Sequence, residues 1–89
     1  MAQVYTVVLE SYPANRREHI ERLLRKHNRA LDHHAIAARA AEVASGTPRP
    51  AAQYRESHAA DHVVAEIRYH GGQARVEAAE AAVGASAAS

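Results

Sequence analysis

Seven histidines in 89 residues are the side chains of this sequence best suited to chemistry near neutral pH, as metal ligands or proton carriers. His58 and His62 stand four apart, the spacing that brings two imidazoles to one face of a helix and lets them chelate a divalent metal. The spacing does not supply a third ligand. Asp61 and Glu66 flank the pair but project in part from other faces, and the adjacent His33 and His34 can give one donor at most to any face. A metal centre needs three or four converging donors held by partners of their own. The ordinary reading is therefore of exposed or capping histidines, with a His58/His62 metal site and a pH-responsive surface as the sharper alternatives.

A second group is basic. Arg16, Arg17, Arg22, Arg25 and Lys26 crowd one helical stretch, interleaved with Glu18 and Glu21. Glu18 with Arg22 and Glu21 with Arg25 lie at the i, i+4 spacing of a solvated, salt-bridged face, which is the plain interpretation. The functional one is a contact surface for an acidic protein partner, because guanidinium groups favour bidentate pairing with carboxylates or phosphates.

A catalytic set does not emerge. Cysteine is absent, Ser11, Ser45 and Ser57 lack the strand–turn–helix setting of a nucleophile, and no glycine-rich loop follows the first strand. The expectation is a non-enzymatic chain without a cofactor. Net charge is only +1, and Tyr5, Tyr12, Tyr54 and Tyr69 are scattered rather than set among basic residues, which argues against nucleic acid. No apolar run approaches the roughly 18 residues of a membrane span. Residues 1–3 lack the basic start and apolar run of a signal peptide. With cysteine absent, these features make cytoplasmic the expected location.

The elements that must position these groups can be read in order. Residues 4–9 are β-branched and aromatic with both faces apolar, which predicts a central strand. A turn over residues 10–15 leads to a helix running to about Lys26, with Ile20, Leu23, Leu24, His27 and Leu31 at helical spacing. Asn15 is expected to cap it, with Glu18 reaching back, and Asn28 to end it in a left-handed conformation. Asp32 should cap a second, alanine-rich helix over residues 33–44, stopped by Gly46. After the Thr47-Pro48-Arg49-Pro50 connector, residues 51–54 suit a short edge strand. Ser57 should cap a third helix over residues 58–70, whose Ala60, Val63, Val64 and Ile67 form an apolar stripe. Gly71-Gly72 ends it, and residues 73–77 alternate as a strand with Ala74, Val76 and Ala78 inward. The sum is an α+β domain of order β-α-α-β-α-β, a small antiparallel sheet with helices packed on one face, over residues 1–78, followed by an Ala/Ser-rich flexible tail over 79–89. Hydrophobic residues make up 47%, but much of that is alanine and there is no Phe or Trp, so the core is thin and self-association into a homo-oligomer is an expectation.

The run Val7-Val8-Leu9, a short turn, Ala14-Asn15-Arg16 and then Ile20 resembles the opening of the C-terminal domain of the bacterial ribosomal stalk protein, a member of the ClpS-like fold group. Val63, Ile67, Gly71, Val76 and Glu77 follow the close of that domain, so the resemblance covers residues 4–78. It implies the same fold, and binding of a protein partner through the first two helices, as the stalk domain binds translational GTPases largely through lysines. Arg16 falls where one such lysine stands, whereas Glu21 reverses the charge of another. The stalk domain's Gly-Leu-Gly-Leu-Lys-Glu-Ala segment is replaced by residues 28–34, of which only Leu31 keeps its character. The Clp-protease adaptor family uses the same fold, but its Asn-Asp-Asp turn is replaced here by Glu10-Ser11-Tyr12-Pro13. An adaptor or accessory subunit of an enzyme or protease complex is accordingly the third reading.

Overall fold

A computed structural model describes residues 3–80. Within them β1 (Gln3–Ser11) leads through a 3-10 turn (Ala14–Arg16) into α1 (Arg17–His27) and α2 (His33–Ala44). Then come β2 (Arg49–Tyr54), α3 (Ser57–Tyr69) and β3 (Gln73–Glu80). The strands form one antiparallel sheet in the order β2-β1-β3. The expected α+β class, element order and central first strand are all observed. Strand β3 runs through Glu80, pairing Ala79 with Val4 and Glu80 with Gln3, two residues beyond the expected boundary; positions 81–89 of the expected tail lie outside the described residues.

One face of the sheet carries the core. Val7 and Leu9 of β1, Ala52 of β2 and Ala74 of β3 meet Ile20, Leu23 and Leu24 of α1, Ile36, Ala40 and Val43 of α2, and Ala60, Val63, Val64 and Ile67 of α3. Val8, on the other face of β1, is buried without joining this cluster. A bulge lies opposite the Val7/Val8 step: Val7 pairs with Ala52 and Val8 with Pro50, so Ala51 is the extra residue. The bulge lets Ala51 and Ala52, though consecutive, both be buried. Pro50 sits beside it on an edge strand, where a missing amide donor breaks no interior ladder. Val76 is half-buried and Ala78 exposed, so only the first part of the predicted inward stripe of β3 reaches the core.

The helix ends follow the expected local signals only in part. Asp32 caps α2 as expected, its Oδ1 accepting from the Ala35 amide at 2.8 Å. Asn15 does not cap α1. After Pro13 the chain tightens into the 3-10 turn, with the Arg16 amide donating to the Pro13 carbonyl at 2.9 Å, so Asn15 lies inside the turn and Glu18 is too early in the helix to reach back. Ser57 does not cap α3 either, because the helix begins on it and Glu56 takes the cap position. Asn28 keeps a negative φ of −136° and ends α1 through its side chain, which donates to the carbonyls of Leu24 at 2.8 Å and Ala51 at 2.6 Å. At the end of α3, Gly71 turns with φ +82°, and Gly72 passes so close that a Cβ there would lie 2.7 Å from Ile67 Cγ2 and 2.9 Å from the Ser11 carbonyl oxygen.

Two substitutions check this frame. Asp32→Ala should lower unfolding free energy by about 1 kcal/mol, the usual worth of an N-cap. Gly72→Ala should cost roughly 1–3 kcal/mol, because the clash is with backbone and a buried branch that have little room to yield. Denaturant unfolding measures both, and an unchanged midpoint for Gly72→Ala would contradict the close approach of α3 to β1.

Candidate functional site

Helix α1 buries Ile20, Leu23 and Leu24 and so presents two polar flanks and an outer ridge. On the flank towards α2, Arg17 Nε donates to Glu21 Oε2 at 2.8 Å and its other end donates to the Ala37 carbonyl at 3.3 Å. Glu21 thus pairs back to Arg17 rather than forward to Arg25. Tyr12 adds a second tie to α2, its hydroxyl donating to the Ala40 carbonyl at 2.7 Å. Partial burial raises the Tyr12 pKa, with Arg17 pulling it down and Glu21 pushing it up by smaller amounts.

The other flank faces α3 across a groove of about 250 Å³, lined by His19, Arg22, Leu23, Lys26, Glu66 and His70. Here the rings of His19 and His70 lie 5.0 Å apart and tilted by 34°. Their Nδ1 atoms are both enclosed and lack a hydrogen-bond partner. Lys26 Nζ lies 3.3 Å from Glu66 Oε2, and His27 Nε2 lies 3.4 Å from Glu66 Oε1. His27 is well covered, its side chain only 9% exposed, and its Nδ1 meets the Tyr54 hydroxyl in a short hydrogen bond. An ionised Glu66 can only accept, so His27 presents a proton on Nε2 to it, and in the uncharged tautomer Nδ1 accepts from Tyr54. Helix α1, the end of β2 and α3 are therefore joined by one chain, Tyr54–His27–Glu66–Lys26.

Of the five predicted contact residues, Arg17 is engaged with α2 and Lys26 with α3. Arg16, Arg22 and Arg25 are exposed. Arg22 comes no nearer than 4.0 Å to Glu18, with the two side chains 66% and 86% exposed, while Arg16 and Arg25 have no ion-pair partner among the described residues. His58 and His62 are both exposed, and His58 lies 3.4 Å from Glu56. No group of three or more His, Asp or Glu side chains able to hold a metal occurs among the described residues. The expected His58/His62 pair therefore has no third donor there, and the Glu66 carboxylate one turn on is engaged by Lys26 and His27. His19, Glu66 and His70 were not singled out from sequence as a group. A signal existed in the spacing: His19, Arg22 and Lys26 at i, i+3, i+7 mark one row of α1, and Glu66 and His70 at i, i+4 one row of α3.

No helix among the described residues is long and apolar enough to cross a membrane. Scans against protein-family models, curated proteins and solved structures returned no significant match.

Burial pushes the Glu66 carboxyl up, but the hydrogen bonds from His27 and Lys26, with their charges, outweigh it and hold it below its ordinary value of 4.5. A lowered carboxyl pKa stabilises the fold above the unfolded value and loses that contribution as pH falls through the folded one. Glu66→Gln should be less stable than the parent at neutral pH, by on the order of 1 kcal/mol or less for a partly exposed pair. The difference should close on acidification below about pH 4.5. Thermal unfolding across that range reads it, and a gap that stays constant down to strongly acid pH would contradict the network.

Proposed function

We propose that this chain is a non-enzymatic protein-binding module that recognises an acidic segment of a protein partner through its first two helices, with the outer ridge of α1 as the principal contact. The observation that carries this reading is the division of labour on α1. Arg17 and Lys26 are spent on packing, whereas Arg16, Arg22 and Arg25 stand exposed with little or nothing to neutralise them. Three exposed guanidiniums spread over the 3-10 turn and α1 are suited to carboxylates, by planar bidentate pairing. The single large apolar side chain left exposed among the described residues, Tyr69 at 84%, sits edge-on to His70 beside the groove and offers an aromatic anchor for such a partner.

The order β-α-α-β-α-β and the central first strand are what a likeness to the ribosomal stalk C-terminal domain would require. They support a binding module as the function class without naming the partner. Arg16 is the position that would keep the stalk-type basic contact.

The experiment is quantitative affinity purification from the native cells, comparing the parent chain with Arg16→Glu/Arg22→Glu/Arg25→Glu. The expected outcome is loss of a specific, identified partner, with affinity falling by roughly a hundredfold and strongly with added salt. Unchanged capture by the triple variant would remove this face from consideration.

A further inference from the structure

The groove between α1 and α3 has a composition that packing alone does not account for. Four of its six lining side chains are basic or imidazole, Leu23 forms its apolar floor, and its one carboxylate has both oxygens engaged, Oε2 by Lys26 and Oε1 by His27. Arg22 is held by nothing closer than Glu18 at 4.0 Å. His19 and His70 stand side by side at 5.0 Å, each with an enclosed Nδ1 that nothing satisfies. A buried N–H without an acceptor costs more than a buried lone pair without a donor, so the neutral tautomer with its proton on Nε2 is the favoured one for both rings. Nδ1 is the nitrogen that is shut in. Nε2–H is then the donor that each ring can turn to the groove. Two imidazole donors, a guanidinium and an ammonium thus converge on a space large enough for a small ligand.

From this convergence we infer that the α1/α3 groove is a binding site for a single oxyanion, a phosphate or carboxylate group, held by Arg22 and Lys26 and by the Nε2–H groups of His19 and His70. A cation is disfavoured by the same lining, since Arg22 and Lys26 would face it and Glu66 is already paired. An oxyanion meets donors on both helices at once. It also gives Lys26 a second acceptor beside Glu66, so the ion pair need not break for binding to occur. The site shares Arg22 with the outer ridge, but Arg16 and Arg25 do not line it, and it takes a small anion whether or not the ridge meets a protein.

The test is an NMR titration of the whole chain with inorganic phosphate and, in a second arm, with acetate, at constant pH and ionic strength set by chloride. The expected result is a saturable shift of the His19 and His70 side-chain resonances and of amides in α1 and α3. Saturation by phosphate alone identifies a phosphoryl group as the ligand chemistry, and saturation by acetate as well extends it to carboxylates. Arg22→Gln, at an exposed position whose loss leaves the fold intact, should weaken binding by roughly tenfold or more, the weight of one charge-assisted hydrogen bond. His70→Gln should weaken it too, with the circular dichroism spectrum checked against the parent. Arg16→Gln should leave binding unchanged, which separates this site from the part of the ridge that lies outside the groove. Shifts that do not saturate, that chloride reproduces, or that persist undiminished in Arg22→Gln would overturn the inference.

Discussion

The space between the helices and the sheet has to be filled without a single phenylalanine or tryptophan. The close packing of the backbones follows from that constraint. Five of the enclosed residues, Ala40, Ala51, Ala52, Ala60 and Ala74, are alanines, so backbones must come close for the core to be free of voids. Close approach explains why Gly72 cannot carry a side chain and why β2 spends a bulge to turn both Ala51 and Ala52 inward. A core of this kind buries little apolar area per residue, at about 25 cal/mol for each Å² removed from water. The periphery is then closed by long polar side chains reaching across to carbonyls of a neighbouring element. Tyr12 reaches Ala40, Arg17 reaches Ala37, Asn28 reaches Ala51 and Arg39 reaches Pro50. Tyr54, His27, Glu66 and Lys26 form the corresponding bridge at the end of α1.

This arrangement decides what α1 has left to offer. Its inner face belongs to the core, one flank is tied to α2 through Arg17, and the other to α3 through Lys26 and His27. A basic helix that looks uniform in sequence is therefore divided into three parts with different duties. The charges that carry no packing role are Arg16 in the turn before α1 and Arg22 and Arg25 on it, all three exposed, with Arg22 also lining the groove to α3. The histidines divide in the same way. His27 is a structural bridge, His19 and His70 form the wall of a groove, and His58 and His62 point into solvent without a third donor among the described residues.

Much of the fold was legible because its signals are local. The two apolar faces of residues 4–9 placed β1 at the centre of the sheet, Asp32 marked the start of α2, and Gly71-Gly72 marked the end of α3. The misread positions were those where a shift of one residue changes a role. Asn15 falls inside a 3-10 turn and Ser57 inside the first turn of α3, so neither stands ahead of its helix. Asn28 ends α1 by a bond to β2, a contact that no local pattern encodes. The candidate site was less legible still. The expected Glu21–Arg25 pair depends on helical spacing alone, and a competing tie to Ala37 of α2 turned Arg17 towards Glu21 instead. The His19–His70 pairing joins residues distant in the chain, and only the packing of α3 beside α1 brings them together.

The central claim is that the outer arginines of α1 contribute nothing to the fold and are free to meet a partner, whereas Arg17 is part of the structure. Denaturant unfolding of Arg16→Gln/Arg22→Gln/Arg25→Gln, set beside Arg17→Gln, addresses it most directly. The triple variant should match the parent within about 0.5 kcal/mol, as exposed substitutions away from packing do. Arg17→Gln should unfold at a lower denaturant concentration than the parent, through loss of its bonds to Glu21 and Ala37. A triple variant as destabilised as Arg17→Gln, or more so, would show that the ridge is structural and contradict the account.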